Sequence, residues 1–167
     1  MLLSVKGGMV FVKSIKKFIA CLVLCFGAGS IGGIFTASSV NTWYTQLIKP
    51  EFTPPNWVFA PVWNFLYFLM AVSLYKVWVS SKQKYKKMAI LVFACQLLLN
   101  VAWSAAFFGL KSPEAGFFII NILLLAIIFT IFFFSRISWK NALLLIPYLV
   151  WVSFASYLNY ILWILNR

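Results

Sequence analysis

The chain holds no histidine, and only two of its 167 residues are acidic, Glu51 and Glu114. Side chains that exchange protons near neutral pH are therefore nearly missing, and general acid–base catalysis of the usual kind has almost no candidates. A proton-coupled pump would want an acid inside a membrane span, and neither acid lies in one. Cysteine is scarce as well. Cys21 and Cys25 share a helix face at i, i+4, with Cys95 far from them in sequence. Nothing nearby completes a set of four N or S ligands, so no metal site is expected and the three thiols read as small buried apolar residues. Charge as a whole is thin, at 10% of residues, where a soluble domain would carry about a quarter. That leaves no room for a soluble module.

Apolar length fills the space. Hydrophobic residues make up 64% of the chain, and a spanning helix needs about 20 mostly apolar residues in a row. Five stretches qualify: 18–37, 58–79, 88–110, 115–134 and 142–165, with Lys76 the one charge inside them. Because Lys76 sits near a span end, its ammonium can snorkel to the interface. The runs are continuous, which excludes the alternating ten-residue strands of a membrane β-barrel. The first run follows lysines as a signal peptide would, but it is longer than a typical apolar signal region and continues without an obvious cleavage site. It is read as a retained helix. The expected fold is an all-α membrane protein, a bundle of five transmembrane helices. It comprises a basic segment at 1–17 and a single membrane domain at 18–167, with a long loop at 38–57.

The cations are uneven along this ladder. Lys6, Lys13, Lys16, Lys17, Lys76, Lys82, Lys84, Lys86, Lys87, Arg136 and Lys140 fall on one side of the membrane, and Lys49, Lys111 and Arg167 join both acids on the other. The positive-inside rule then places the N-terminus in the cytoplasm and the C-terminus outside, in a cytoplasmic-type cell membrane. A net charge of +12 is explained by loops touching anionic lipid; no nucleic acid is expected as a partner.

The spans carry patterned polar and small residues. In "GAGSIGG", Gly29 and Gly33 form a G-x-x-x-G pair extended by Ala28 and Gly32, a surface that lets another helix approach closely. Packing within the chain, a dimer seam and a ligand wall all use such a strip. Helical spacing puts Gln96, Asn100, Trp103, Ser104 and Phe107 on one face of span three. Tyr148, Trp151, Ala155 and Asn159 share a face of span five, and Trp63, Asn64 and Tyr67 a face of span two. Each helix thus offers an amide and a tryptophan to a common centre. Helix-to-helix hydrogen bonding accounts for the amides equally well, at about 1 kcal/mol or less each. Pro147 is expected to free the Leu143 carbonyl and kink span five. Ser112, Pro113 and Glu114 read as a helix start. Asn56 is expected to cap span two, with Pro61 in or near its first turn.

The stretches "WYTQLIKP" (43–50), "TPPNWVFAPVWNFLY" (53–67), "QLLLNVAWSAAFFG" (96–109) and "PYLVWVSFASYLN" (147–159) resemble, in order and spacing, the TspO/MBR family of tryptophan-rich sensory proteins and translocator proteins. The resemblance implies five membrane helices, commonly a homodimer, and a pocket closed by the long first loop. It implies porphyrins such as protoporphyrin IX as ligands, together with benzodiazepine-type compounds and, in animal members, sterols. No cofactor is required; the porphyrin is a ligand. Carried over by position, the ligand-binding residues are Tyr44, Pro54, Trp63, Asn100, Trp103, Trp151 and Ala155, and Tyr148 joins them from the face of span five. Two positions depart from the family: Ala60 stands where glycine is common, and Tyr160 is followed by no basic residue until Arg167, one step too far for the animal sterol motif.

The function expected on these grounds is a membrane receptor or carrier for tetrapyrroles and other flat hydrophobic molecules, in a regulatory or transport role. The alternative is enzymatic, a light-dependent degradation of protoporphyrin IX through Trp63 and Trp151. A third possibility is a regulator that works by contact with partners through its basic face.

Overall fold

A computed structural model describes the backbone from residue 3 to 167 and side chains from Ser14 onward; Lys6 and Lys13 of the basic segment lie outside the described side chains. The described residues form helices and no strand. Helix α1 runs Leu3–Ser39, and its apolar crossing is Ser14–Ser39. The long loop holds one short helix, α2, at Trp43–Gln46. Then follow α3 (Asn56–Val79), α4 (Lys86–Ser104), which continues as a π-helical turn over Ala105–Gly109, and α5 (Pro113–Ile137). The last crossing is divided into α6 (Trp139–Leu143) and α7 (Ile146–Leu165). Five crossings of 24 to 27 residues result, each long and apolar enough to span a bilayer. The expected five-helix membrane bundle is what the chain forms.

The helices make a ring. α1 packs on α3 and α4, α4 on α5, and α5 on α7. The ring closes where α3 meets α7 through aromatic side chains, Phe59 on Trp151 and Trp63 on Tyr148. With no water in the hydrocarbon to accept backbone groups, each helix satisfies its own amides. What holds the helices together is close packing and a few internal hydrogen bonds. The main buried cluster runs from Cys21 and Cys25 on α1 through Met70 and Val77 on α3, Phe93 on α4, and Ile127 and Phe134 on α5 to Tyr148 and Val152 on α7.

Local details differ from the sequence expectations in four places. Helix α3 starts at Asn56 itself, behind Pro55, and no side chain caps it. Pro61 therefore lies inside the helix rather than at its first turn, and its missing N–H leaves the Trp57 carbonyl without a helical partner. At Pro147 the helix breaks rather than kinks, with Pro147 in the first turn of α7, where proline costs least. The α6 piece is tied back by the Ser73 hydroxyl, which donates to the Asn141 carbonyl at 2.7 Å. Cys95 is exposed on the bundle's outer surface, so only Cys21 and Cys25 are buried as expected. The start of α5 is as read, with the Ala115 amide donating to the Ser112 hydroxyl at 3.1 Å.

A candidate ligand cavity at the loop end of the bundle

Toward the lysine-rich end the main buried cluster fills the space between the helices, among the described residues. Toward the loop end it holds a cavity of about 620 Å³, within the roughly 300–1,000 Å³ typical of sites for small organic ligands. The reason lies in where small residues fall on α1. A Cβ at Gly29 would lie 2.4 Å from the Tyr67 ring, and one at Gly32 would lie 3.1 Å from the Ser104 hydroxyl oxygen. These two glycines bring α1 against α3 and α4. At Gly33 a Cβ would meet nothing within 4 Å, and Gly33 lines the cavity. The glycine strip thus supplies packing on one side and an open wall on the other.

Facing that wall is a tier of rings. Tyr67 and Trp63 stack at 5.6 Å between centroids, Trp63 and Trp103 at 6.2 Å, and Trp103 and Phe107 at 5.9 Å, with interplanar angles of 27–30°. All four residues line the cavity. The π turn in α4 sets the upper part of this tier. There the Leu110 amide donates to the Ala105 carbonyl, five residues back, at 2.8 Å. The extra residue per turn brings Phe107 and Phe108 both inward and buried. Such turns are rare and concentrate at functional sites. The Phe108 carbonyl accepts from the Ser39 hydroxyl at 2.8 Å, across from α1.

The loop closes the top. Tyr44 is buried over Phe107 and Phe108, and burial pushes its phenol pKa up. The Lys49 ammonium sits 4.7 Å from the centre of the Tyr44 ring, an arrangement worth about 0.5–2 kcal/mol depending on exposure. Asn166, beyond the end of α7, clamps the loop from the far side. The Ile48 amide donates to its side-chain oxygen at 2.9 Å, and its amide nitrogen donates to the Ile48 carbonyl at 3.0 Å. Phe52 stacks on Tyr157 at 5.7 Å and 15°. No reading of the sequence pointed to Asn166, because a polar residue at a helix terminus carries no periodic signal.

Of the residues singled out from sequence, Tyr44, Trp63, Trp103 and Ala155 lie on the cavity wall. Asn100 and Tyr148 stand one layer behind it. The Tyr67 hydroxyl donates to the Asn100 side-chain oxygen at 2.6 Å, and the Asn100 amide donates to the Tyr148 hydroxyl at 3.2 Å. This buried chain fixes the Tyr67 ring in the cavity floor. Trp151 packs behind Phe59, its indole N–H buried without a partner, and Pro54 belongs to the loop outside the wall. Trp103 is anchored by α7, its indole N–H donating to the Asn159 side-chain oxygen at 3.1 Å while the Asn159 amide donates to the Pro113 carbonyl at 2.7 Å. Three further amides line the cavity where residues are more exposed, Asn41, Asn56 and Asn64. The arrangement suits a flat, largely apolar molecule with polar groups at one edge.

Comparison with known proteins shows the family. The model of the TspO/MBR family matches residues 21–164. The chain is 43% identical over 155 residues to the tryptophan-rich protein TspO of Chlorobaculum tepidum, covering 92% of this chain and 98% of the relative. Against the tryptophan-rich protein TspO of Archaeoglobus fulgidus it is 44% identical over 153 residues, covering 92% and 99%. The human translocator protein is 35% identical over 137 residues, covering 80% of each chain.

Proposed function

The chain belongs to the TspO/MBR family of membrane proteins, and from that premise we propose that it is a receptor or carrier for tetrapyrroles of the protoporphyrin IX kind and other flat hydrophobic molecules. The observation that carries the reading is the cavity of about 620 Å³, with a tier of stacked rings on one side and the open Gly33 wall on the other. A conjugated macrocycle gains from lying against tryptophan and tyrosine faces, at about 0.5–1.5 kcal/mol per aromatic pair beyond area burial. Polar edge groups find donors in Asn41, Asn56 and Asn64. The Asn100 amide already serves Tyr67 and Tyr148. The loop, pinned by Asn166, acts as the cover whose opening admits the ligand, and the protein works as a homodimer in the cell membrane in a regulatory or transport role.

Titration of the purified protein with protoporphyrin IX should quench tryptophan fluorescence saturably. Gly33→Leu puts bulk into the cavity from a position where a Cβ meets nothing within 4 Å, and should weaken binding at least about tenfold, a loss of roughly 1.4 kcal/mol. Gly27→Leu, also free of neighbours within 4 Å but off the cavity wall, should leave binding unchanged. Unsaturable quenching, or equal binding by both variants, overturns the proposal.

A second reading, light-dependent breakdown of the bound porphyrin, draws on the close stacking of Trp63 with Tyr67 and Trp103, which offers an excited porphyrin neighbouring electron donors. It requires many turnovers per protein under illumination, lost in Trp63→Phe. Bleaching that stops at one equivalent counts against it.

A further inference from the structure

A second depression lies on the outer face of the bundle at the opposite, lysine-rich end. It is an open crevice of about 290 Å³ between the start of the α1 crossing and the end of α3, lined by Ser14, Ile15, Phe18, Val72, Tyr75 and Lys76. Both helices contribute one face to it. Val72, Tyr75 and Lys76 follow at i, i+3 and i+4, and Ser14, Ile15 and Phe18 at i, i+1 and i+4, so the six side chains converge on one groove. Its chemistry is divided. Phe18 meets Tyr75 edge-on at 5.3 Å, and with Ile15 and Val72 they make an apolar floor. The polar rim holds the Ser14 and Tyr75 hydroxyls, hydrogen-bonded to each other, and the exposed Lys76. In a pair of bonded hydroxyls one hydrogen is used between them, and the other is left to donate outward. Lys17, one turn of α1 away, is held over Trp78 on α3 at 5.8 Å.

We propose that this crevice is a binding site for one anionic phospholipid, with its phosphate at Lys76 and the free hydroxyl hydrogen and its acyl chain over Phe18 and Val72. The occupant follows from position and charge. The groove opens on the membrane-facing side at the end of two crossings, where a lipid's headgroup meets its acyl chains and basic pockets between helices take anionic headgroups. The rim offers a cation and hydrogen-bond donors and no acid; the two acids of the chain lie elsewhere, in the long loop and at the start of α5. Lys76 is the one charge the apolar pattern tolerates within α3, and a phosphate there offsets the cost of holding an ammonium at the edge of hydrocarbon. The site is separate from the cavity at the loop end and does not depend on what that cavity binds.

Native mass spectrometry of the full chain released from nanodiscs of mixed phosphatidylglycerol and phosphatidylcholine tests this. One phosphatidylglycerol per chain should be retained in preference to phosphatidylcholine. Lys76→Gln should lower that retention about fivefold, as the loss of one lysine contact worth roughly 1 kcal/mol implies. Lys87→Gln removes the same charge from the exposed first turn of α4 and should have no effect on the tight adduct. Val72→Trp fills the groove without changing charge and should abolish it. Millimolar inorganic phosphate should not displace the lipid, since it lacks the acyl chain. Equal retention of both lipids, equal effects of Lys76→Gln and Lys87→Gln, an adduct surviving Val72→Trp, or displacement by free phosphate would each overturn the assignment. Unchanged thermal unfolding of the variants shows that the fold is intact.

Discussion

Single residues set both the closeness of the helices and the shape of the cavity. Gly29 has no room for a side chain, because Tyr67 occupies it, and Tyr67 is itself fixed by Asn100. Gly29→Ala should therefore destabilise the protein by about 1–3 kcal/mol, the usual cost of overpacking, and lower the unfolding temperature in detergent. Gly27→Ala, where a Cβ meets nothing, should stay within about 0.5 kcal/mol of the parent. Asn159 bridges the Trp103 indole and the Pro113 carbonyl. Asn159→Ala strands both and should cost about 1–2 kcal/mol, with a shift in tryptophan emission as Trp103 loses its anchor; an unshifted spectrum would mean the indole was not held there. The sequence identified Gly29 and Gly33 as one strip. It could not tell that one faces a ring and the other open space, since spacing fixes a helix face and not what stands opposite.

At the scale of elements, two irregularities carry the site. The π turn at Ala105–Gly109 was not visible in "AAFFG", because a single inserted residue leaves an apolar run looking helical. Deleting Ala105 restores α-helical spacing, so that Phe107 and Phe108 no longer both turn inward. Ligand affinity should fall at least tenfold, about 1.4 kcal/mol, while the far-ultraviolet helix signal is retained; preserved affinity would show the turn to be incidental. The loop is the second irregularity. Asn166→Leu removes both hydrogen bonds to Ile48 and should raise proteolysis within 38–57 and speed ligand dissociation several-fold, measured by stopped-flow fluorescence. A loop cut no faster than in the parent would show that Phe52–Tyr157 stacking alone holds it.

For the whole molecule, the gradient of charge is the strongest signal. Lys16, Lys17, Lys82, Lys84, Lys86, Lys87, Arg136 and Lys140 gather at one end of the bundle, with the long loop and both acids toward the other. Alkaline phosphatase fused after Arg167 should be active outside the cell, and the same fusion within 82–87 should be inactive. The reverse pattern would sink the orientation drawn from charge. In that orientation the cavity at the loop end would lie near the outer surface and the proposed phospholipid crevice near the inner one.

Sequence alone determined the five crossings, the side on which the cations gather, and the aromatic and amide faces that turn inward. Those follow from transfer energies and helical period, which are local properties of the chain. Tertiary structure decided the rest. Trp63 and Trp103 became wall, Asn100 and Tyr148 became the support behind the Tyr67 floor, and Trp151 went behind Phe59. A face spans nearly half a helix, and only the neighbour it meets decides which of its residues borders empty space. Asn166 and the π turn that follows α4 meet partners more than fifty residues away in sequence, at Ile48 and Ser39, so no window along the chain contains them.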